Sequence, residues 1–264
     1  MPETVSLAIE DQIAQVTLNR PDKKNAMSLQ MMEELVTVAE GLRTDKSVRV
    51  VILNAEGDSF CAGLDLADLM GLAGNLDKTR EMLATVLDKT GANIFQRPCT
   101  IWKDFPQPVI AVVKGNTLGA GAQLALGADY RIAAPDTRFS IMEAKWGLIP
   151  DMGITQSLPG IMRADQAFEI ISTGRILDAR EAQEFGLLSK VEDDADEAAH
   201  SYAETLRLSS PDALAALKTM TQSMWSAGKA GLELEAALQS SLIGTPNQME
   251  KSMASMQKRV PSFT

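Results

Sequence analysis

The sequence is nearly devoid of histidine, with one residue, His200, among 264. A Ser-His-Asp or Cys-His catalytic site therefore requires His200 itself, and no G-x-S-x-G elbow accompanies it. His200 lies in the polar stretch 197–204, a pattern that favours a solvated helix residue. One histidine and two distant cysteines also fall short of the usual zinc ligand sets. We therefore expect no metal site, and acid/base chemistry from carboxylates alone.

Cysteine, positive charge and long apolar runs are scarce as well. Only Cys61 and Cys99 are present, so no disulfide framework is indicated. Lys and Arg number 25 against 35 Asp and Glu, a net charge of -10, whereas a nucleic-acid-binding protein needs a basic face. Residues 1–11 show no basic-then-apolar leader, and no run of about 18 apolar residues follows. We expect a soluble, cytoplasmic protein without nucleic-acid or membrane partners.

The rest of the chain is organised around the stretch 109–124. Residues 109–113 are almost wholly apolar and mostly β-branched, which predicts a strand buried on both faces. In the turn that follows, Gly119, Ala120 and Gly121 would let N–H groups at a helix N-terminus face a ligand at close range. The alternative is that these small residues only allow the helix to pack closely on the sheet.

A second stretch repeats this pattern of strand, turn and helix. Residues 48–54 predict another buried strand, and the chain then reaches a turn containing Ala62 and Gly63 before a predicted helix. Two such turns, if adjacent, could each offer one backbone N–H to a single oxygen atom. That is how an oxyanion hole is built.

Local signals place the other elements. Residues 5–10 and 13–19 predict a hairpin, and Ser28 is a typical N-cap for a helix reaching about Thr44. Alternating strands and helices up to about residue 135 favour an α/β fold with a parallel sheet. Further patterns predict helices over 164–173 and 179–186, a strand over 187–191, and helical structure from 195 onward. We therefore expect an α/β core over residues 1–194 and a helical region over 195–264.

Four segments, in the right order, resemble the crotonase superfamily of enoyl-CoA hydratases and isomerases. They are Leu18-Asn19-Arg20-Pro21 with Asn25-Ala26, Phe60-Cys61-Ala62-Gly63-Leu64-Asp65, Gly115 with Leu118-Gly119-Ala120-Gly121, and Phe139 to Glu143 followed by Gly147-Leu148-Ile149-Pro150. The resemblance implies a spiral of ββα units with a C-terminal helical trimerisation region, in a homotrimer or a dimer of trimers. It also implies an acyl-CoA thioester as substrate, with coenzyme A belonging to the substrate and no separate cofactor.

The resemblance assigns the substrate-binding positions. The N–H groups of Leu64 and Ala120 correspond to oxyanion-hole donors, which make the proton next to the thioester carbonyl acidic. Lys23, Lys24 and Lys258 resemble lysines that contact CoA; the alternatives are a solvated charge run and a basic helix end. The remaining substrate-site positions implied are Ala26, Ala62, Gly63, Asp65, Gly119 and Gln123. Of these, Asp65 is also a typical helix N-cap.

The acid/base positions depart from the hydratase pattern. The superfamily's hydratases use two catalytic glutamates. At the position of the first, this sequence has Gln123, whose amide is not a base near neutral pH; at the position of the second, it has Glu143. A single glutamate suffices for the superfamily's isomerases, which take a proton from C2 and return it at C4. Asp151 stands where dienoyl-CoA isomerases carry an aspartate. The structural alternatives are a salt bridge of Glu143 with Lys145, and turn formation by Asp151.

The sequence therefore predicts an enzyme of the enoyl-CoA hydratase/isomerase type that favours double-bond isomerisation over hydration. Losing one general acid/base typically costs roughly 10²- to 10⁴-fold in rate. Two other classes remain open: a non-catalytic acyl-CoA-binding protein that keeps the thioester cradle, and a thioester hydrolase or decarboxylase on the same fold.

Overall fold

A computed structural model describes residues 4–87, 89–224, 236–237 and 239–264. The strands are β1 (Val5–Glu10), β2 (Ile13–Leu18), β3 (Val50–Ala55), β4 (Val109–Val113), β5 (Asn116–Leu118), β6 (Tyr130–Ala133), β7 (Arg138–Ser140), β8 (Leu177–Asp178) and β9 (Lys190–Val191). The helices are α1 (Leu29–Thr44), α2 (Leu66–Ala73), α3 (Leu76–Ala84), α4 (Arg97–Thr100), α5 (Ala120–Gly127), α6 (Ile154–Ser157), α7 (Ala164–Thr173), α8 (Ala179–Glu184), α9 (Ala195–Arg207), α10 (Pro211–Ser223) and α11 (Pro246–Gln257).

The main sheet is mostly parallel and has the strand order β1-β2-β3-β4-β6-β9. Only the β1 and β2 pair is antiparallel, and Asp11 and Gln12 between them have φ of 47° and 70°. Two consecutive positive φ angles are what a type I′ hairpin turn requires. The predicted hairpin and the predicted parallel α/β sheet are both confirmed.

The two faces of this sheet are covered by different layers. On β3, Val51 and Leu53 face the larger core, while Val50 and Ile52 face α9. Ala199 lies buried in the α9 layer, with Ala195 and Ala203 one helical turn to either side. Helix α9 therefore covers one face of the main sheet. It packs on the α/β core even though it begins at the predicted boundary between that core, residues 1–194, and the helical region. That boundary stays a prediction.

A smaller sheet, with the order β5-β7-β8, positions the central turn. Gly115 lies between β4 and β5 with φ of 49°, and a Cβ there would be 1.9 Å from the Asp58 carbonyl oxygen. Only glycine allows both this backbone conformation and this close approach. Strand β5 was not among the predicted elements, because three residues carry no recognisable periodicity.

Most other local predictions hold. The Ser28 hydroxyl accepts a hydrogen bond from the Met31 N–H and caps α1, β4 is buried along its whole length, and α7 has the predicted bounds. Strand β9 is shorter than the predicted 187–191. The predicted C-terminal helical region is present as α9, α10 and α11, and its part over 225–235 lies outside the described residues. No helix in the described ranges has the length and apolarity to cross a lipid bilayer.

Helix α10 is joined to the core by the buried side chain of Lys218. Its Nζ donates to the carbonyl oxygens of Trp102 (2.7 Å) and Gln107 (3.1 Å) and pairs with the Asp129 carboxylate at 2.7 Å. Burial lowers the pKa of Lys218, and the Asp129 charge opposes that shift. The ammonium group thus satisfies three oxygen atoms at one point.

We expect Lys218→Met to lower the free energy of unfolding by about 2 to 3 kcal/mol, because it removes the charge partner of Asp129 and the side-chain donor to two carbonyl groups. Urea unfolding followed by circular dichroism measures this. Lys78→Met, at an exposed position of α3, is the matched control and should change stability by less than about 0.5 kcal/mol. Equal effects of the two substitutions would refute the anchoring role.

Candidate active site

The two glycine-containing turns lie against each other. Leu118 donates its N–H to the Cys61 carbonyl at 3.0 Å, and Cys61 pairs with Thr117 in an isolated bridge. A Cβ on Gly63 would lie 3.5 Å from the Leu118 carbonyl oxygen, and one on Gly121 would lie 2.4 Å from that of Cys61. The close approach of the turns therefore requires glycine at position 121, whereas at Gly63 it is the φ of 110° that favours glycine.

Each turn leaves one relevant N–H group unpaired. Gly119 donates to a carbonyl of β7 at 2.8 Å and Asp65 donates to the Met27 carbonyl at 2.9 Å, whereas the N–H groups of Leu64 and Ala120 have no acceptor within the described part of the chain. Ala120 is the first residue of α5, where N–H groups have no partner inside the helix. These are the two donors that the sequence resemblance implies.

Asp65 has a structural role beside the first turn. Its carboxylate accepts the Ala67 N–H at 2.9 Å, which caps α2, and pairs with Arg20 at 3.0 Å. Burial alone would raise the pKa of Asp65, but these hydrogen bonds and the Arg20 charge lower it on balance. The N-cap interpretation is confirmed. A role for Asp65 in substrate binding stays a prediction.

The predicted CoA-binding loop is tied to the first turn through its backbone. Lys24 has φ of 50°, and its carbonyl accepts the Ala62 N–H at 3.0 Å. The Arg20 guanidinium donates to the Ala26 carbonyl at 2.6 Å. The side chains of Lys23 and Lys24 are exposed on this loop. Arg20 belongs to a motif noted in the sequence, but its two contacts were not predicted.

Lys258 lies more than 200 residues further along the chain than Lys23 and Lys24. It is exposed, with φ of 54° at the end of α11, and the residues after it fold back so that Arg259 pairs with Glu250 at 2.8 Å. The Phe263 ring lies 5.8 Å from the Arg49 guanidinium, beside a cavity of about 380 Å³. No hydrogen bond or ion pair in the described residues joins the Lys258 side chain to Lys24 or to Glu143, and its role in CoA binding stays a prediction.

Glu143 lies at the second turn with one oxygen held and the other unpaired. The Gln123 side-chain amide donates to Glu143 Oε1 at 2.8 Å, and the Gln123 Oε1 accepts the Met152 N–H at 2.9 Å. Glu143 Oε2 is buried and has no hydrogen-bond partner among the residues that the structure describes. A Cβ on Gly119 would be 3.3 Å from Glu143 Oε1, so the carboxylate packs directly against the residue that precedes Ala120.

The environment of Glu143 raises the pKa of its carboxyl group. Burial raises the pKa of Glu143, the negative charge of Asp151 raises it further, and the Gln123 amide opposes both. Desolvation also raises the pKa of Asp151, although this residue is exposed. Glu143 has Gln123 as its side-chain partner instead of the salt bridge to Lys145 that was the structural alternative. A buried, partly unpaired carboxylate with a raised pKa is typical of a functional site.

The histidine and the cysteines offer no competing nucleophilic site. His200 lies on α9 as predicted, but it is half-buried and accepts a hydrogen bond from the Gln15 amide at 2.9 Å, so the expectation of a solvated side chain was wrong. Cys61 and Cys99 are free and buried. Burial raises the pKa of Cys61 to about 11 and that of Cys99 well above its usual range, which keeps both thiols protonated at neutral pH.

Comparison with known proteins agrees with this geometry. The sequence model of the family "Enoyl-CoA hydratase/isomerase" matches residues 8–264. A probable enoyl-CoA hydratase of Bacillus subtilis (strain 168) is 32% identical over 263 residues, covering 98% of each chain. The 2,3-dehydroadipyl-CoA hydratase of Escherichia coli (strain K12) is 33% identical over 259 residues, covering 96% of each. The crystal structure of an enoyl-CoA hydratase from Bacillus anthracis superimposes with a TM-score of 0.89 at 30% identity, covering 98% of each chain.

The chain belongs to the enoyl-CoA hydratase/isomerase family, and it has the crotonase fold that the four sequence segments indicated. It is thus an enzyme of that family, with a mixed α/β, largely parallel core and a helical C-terminal region.

Proposed function

We propose that this enzyme isomerises the double bond of an enoyl-CoA thioester, with Glu143 as the only acid/base group in direct contact with the substrate. The observation that carries the proposal is the state of Glu143: one oxygen is held by the Gln123 amide, and the other is buried and unpaired. Where a second glutamate would be needed to activate water, the chain has an amide that neither gains nor loses a proton near pH 7.

In the proposed reaction the thioester oxygen accepts hydrogen bonds from the N–H groups of Leu64 and Ala120. Glu143 Oε2 removes a proton from C2 of a 3-enoyl-CoA, and the electron pair of that C–H bond forms a dienolate with double bonds between C1 and C2 and between C3 and C4. The negative charge is shared among the thioester oxygen, C2 and C4, and each oxyanion donor is worth about 3 to 4 kcal/mol in such a site. The electron pair of the C3–C4 π bond then takes the proton from Glu143 to form the new C4–H bond, while the C1–C2 π bond shifts to C2–C3 and the thioester carbonyl re-forms. The product is a 2-enoyl-CoA of unchanged mass.

The CoA part of the substrate is proposed to lie along the exposed loop of Lys23 and Lys24, since the Lys24 carbonyl is bonded to the turn that carries Leu64. Lys258 would complete this site, because the family that the chain resembles has a tail here that reaches a bound CoA, sometimes from a neighbouring subunit. The assembly proposed is the homotrimer, or the dimer of trimers, that the resemblance implies.

A substrate panel tests the reaction. The purified enzyme is incubated with a 3-enoyl-CoA, a 2-enoyl-CoA and a 3,5-dienoyl-CoA in D₂O, and products are followed by mass and ultraviolet absorbance. We expect the 3-enoyl-CoA to gain the absorbance of a conjugated thioester. Because one carboxyl group carries the proton from C2 to C4, part of the product should contain no deuterium at C4. Isomerisation of the 3-enoyl-CoA that persists at the wild-type rate in Glu143→Gln would contradict a shuttle through this carboxyl group.

Hydration is the second candidate, and the relatives' names favour it: both the Bacillus subtilis and the Escherichia coli proteins are called hydratases. In that case the 2-enoyl-CoA gains the mass of one water, with Asp151 supplying the missing proton transfer. Release of free CoA or of CO₂ would instead indicate a hydrolase or a decarboxylase. Binding of acyl-CoA without turnover of any substrate would indicate a binding protein.

A further inference from the structure

Gln123 has contacts that specify an amide and no other side chain. It is 1% exposed and lies in the first half of α5. Its Nε2 donates to Glu143 Oε1 at 2.8 Å, and its Oε1 accepts the Met152 N–H at 2.9 Å. The Met152 N–H can only donate, and an ionised Glu143 can only accept. These two partners fix the orientation of the amide.

An amide meets both requirements without depending on protonation, whereas a glutamate could donate to Glu143 only while it carries a proton. An ionised glutamate would accept from Met152 but could not donate to Glu143, and it would place two negative charges within hydrogen-bond distance. A methionine would fill the volume and satisfy neither partner. The amide therefore joins three segments of the site: α5, the residue that begins the 3-10 helix Glu143–Trp146, and the loop of Asp151 and Met152.

We infer that Gln123 is a positioning residue for Glu143, holding Oε1 so that Oε2 alone exchanges protons with the substrate. Glu143 Oε1 is held between the Gln123 amide and the backbone at Gly119, where an added Cβ would lie 3.3 Å away. Oε2 is left buried without a partner. This inference rests on the proposed function only in naming the substrate that Oε2 meets. The hydrogen bond that constrains the Glu143 carboxylate lies within the protein and does not depend on which substrate binds.

The hydrogen bond from Gln123 also contributes to the pKa of Glu143, which burial raises and which hydrogen bonds from the backbone and from Gln123 lower. The ionisable groups that face Glu143 are Asp151, whose charge raises the pKa of Glu143, and the buried thiol of Cys99, which stays protonated. Gln123 is the side-chain donor that favours the ionised form against burial and against Asp151. Removing this donor should therefore shift the titration of Glu143 to higher pH.

Two substitutions separate positioning from general stability. Gln123→Met removes both hydrogen bonds, and Gln123→Glu keeps the acceptor for Met152 but brings a second carboxyl group to Glu143. Gln15→Met is the matched control, because Gln15 also donates through its amide, to His200, on the α9 face of the sheet. For each variant, kcat and KM are measured against pH with the best substrate of the panel. The Glu143 carboxyl is titrated separately by carbon NMR, with its signal assigned by its loss in Glu143→Gln.

We expect Gln123→Met to lower kcat about tenfold with little change in KM, since the base is misplaced while the thioester cradle is kept. The acidic limb of its pH profile and its Glu143 titration should both move upward by about one pH unit. In Gln123→Glu both should move further, because two adjacent carboxyl groups share one proton. Gln15→Met should match the wild type in all of these.

Unchanged titration of Glu143 in both Gln123 variants would overturn the inference, whatever their activity. If the wild type isomerises no substrate but Glu143 still titrates higher in the variants, positioning by Gln123 is upheld and the proposed reaction is wrong. If the wild type isomerises and the variants keep both its pH profile and its kcat, the proposed reaction stands and Gln123 has no positioning role.

Discussion

Replacing Glu143 with glutamine is expected to lower kcat for double-bond isomerisation about 10³-fold. The two side chains have the same shape, and the carbonyl oxygen of the introduced amide can still accept the hydrogen bond from Gln123. What is lost is the proton carrier, because an amide neither takes the proton from C2 nor returns one at C4. Steady-state kinetics with the 3-enoyl-CoA measures the effect, and KM should change little because the oxyanion donors are intact.

The matched control for this substitution is Glu33→Gln, at an exposed position of α1, which should keep the wild-type rate. Glu143→Gln should also be slightly more stable than the wild type at neutral pH. The pKa of Glu143 is raised in the folded protein, so its ionisation opposes folding as the pH rises through that pKa. Wild-type activity in Glu143→Gln would exclude Glu143 as the base; a large loss of stability would make the kinetic result uninterpretable as chemistry.

The pH dependence of the wild type follows from the same raised pKa. Glu143 must be ionised to remove the proton from C2, so the rate falls as the pH is lowered through its pKa. Since burial raises that pKa above the ordinary value of 4.5, the acidic limb of kcat/KM should lie above pH 4.5. Its disappearance in Glu143→Gln would assign the limb to this residue.

The outline of the fold was predictable because its signals are local. The Ser28 cap, the apolar run of β4 and the amphipathic pattern of α7 each fit within one element. Strands of two or three residues, such as β5 and β8, carry no such pattern. They form because the folded main sheet brings them beside the strands with which they pair. The sequence of one short segment does not show which strands those are.

The sequence resemblance named residues for the candidate site, but the sequence does not show how those residues contact one another. The sequence showed that Gln123 cannot be a base, yet its partners Glu143 and Met152 are 20 and 29 positions away along the chain. Whether an amide at such a position contacts substrate or protein depends on tertiary distances alone. The same holds for Lys258, whose predicted contact with CoA cannot be read from its own segment of the sequence.

The second large effect is expected for Gly121→Ala, which should lower kcat/KM by about 10²-fold or more. An alanine Cβ there would lie 2.4 Å from the Cys61 carbonyl oxygen and 2.7 Å from its Cβ. Backbone atoms cannot yield as a side chain does, so the two turns must separate. That displaces the Leu64 N–H relative to the Ala120 N–H, and one oxyanion donor is lost. The added methyl group should also cost about 1 to 3 kcal/mol of stability as overpacking.

Gly41→Ala separates this effect from the intrinsic preference of helices for alanine. Gly41 is exposed in α1 and a Cβ there meets nothing within 4 Å, so the substitution should stabilise the protein by up to about 1 kcal/mol and leave activity unchanged. Gly121 is also helical, so its intrinsic preference favours alanine as well. A loss in Gly121→Ala therefore comes from contact between the turns. If Gly121→Ala keeps wild-type kcat/KM, the approach of Cys61 to α5 does not set the spacing of the oxyanion donors.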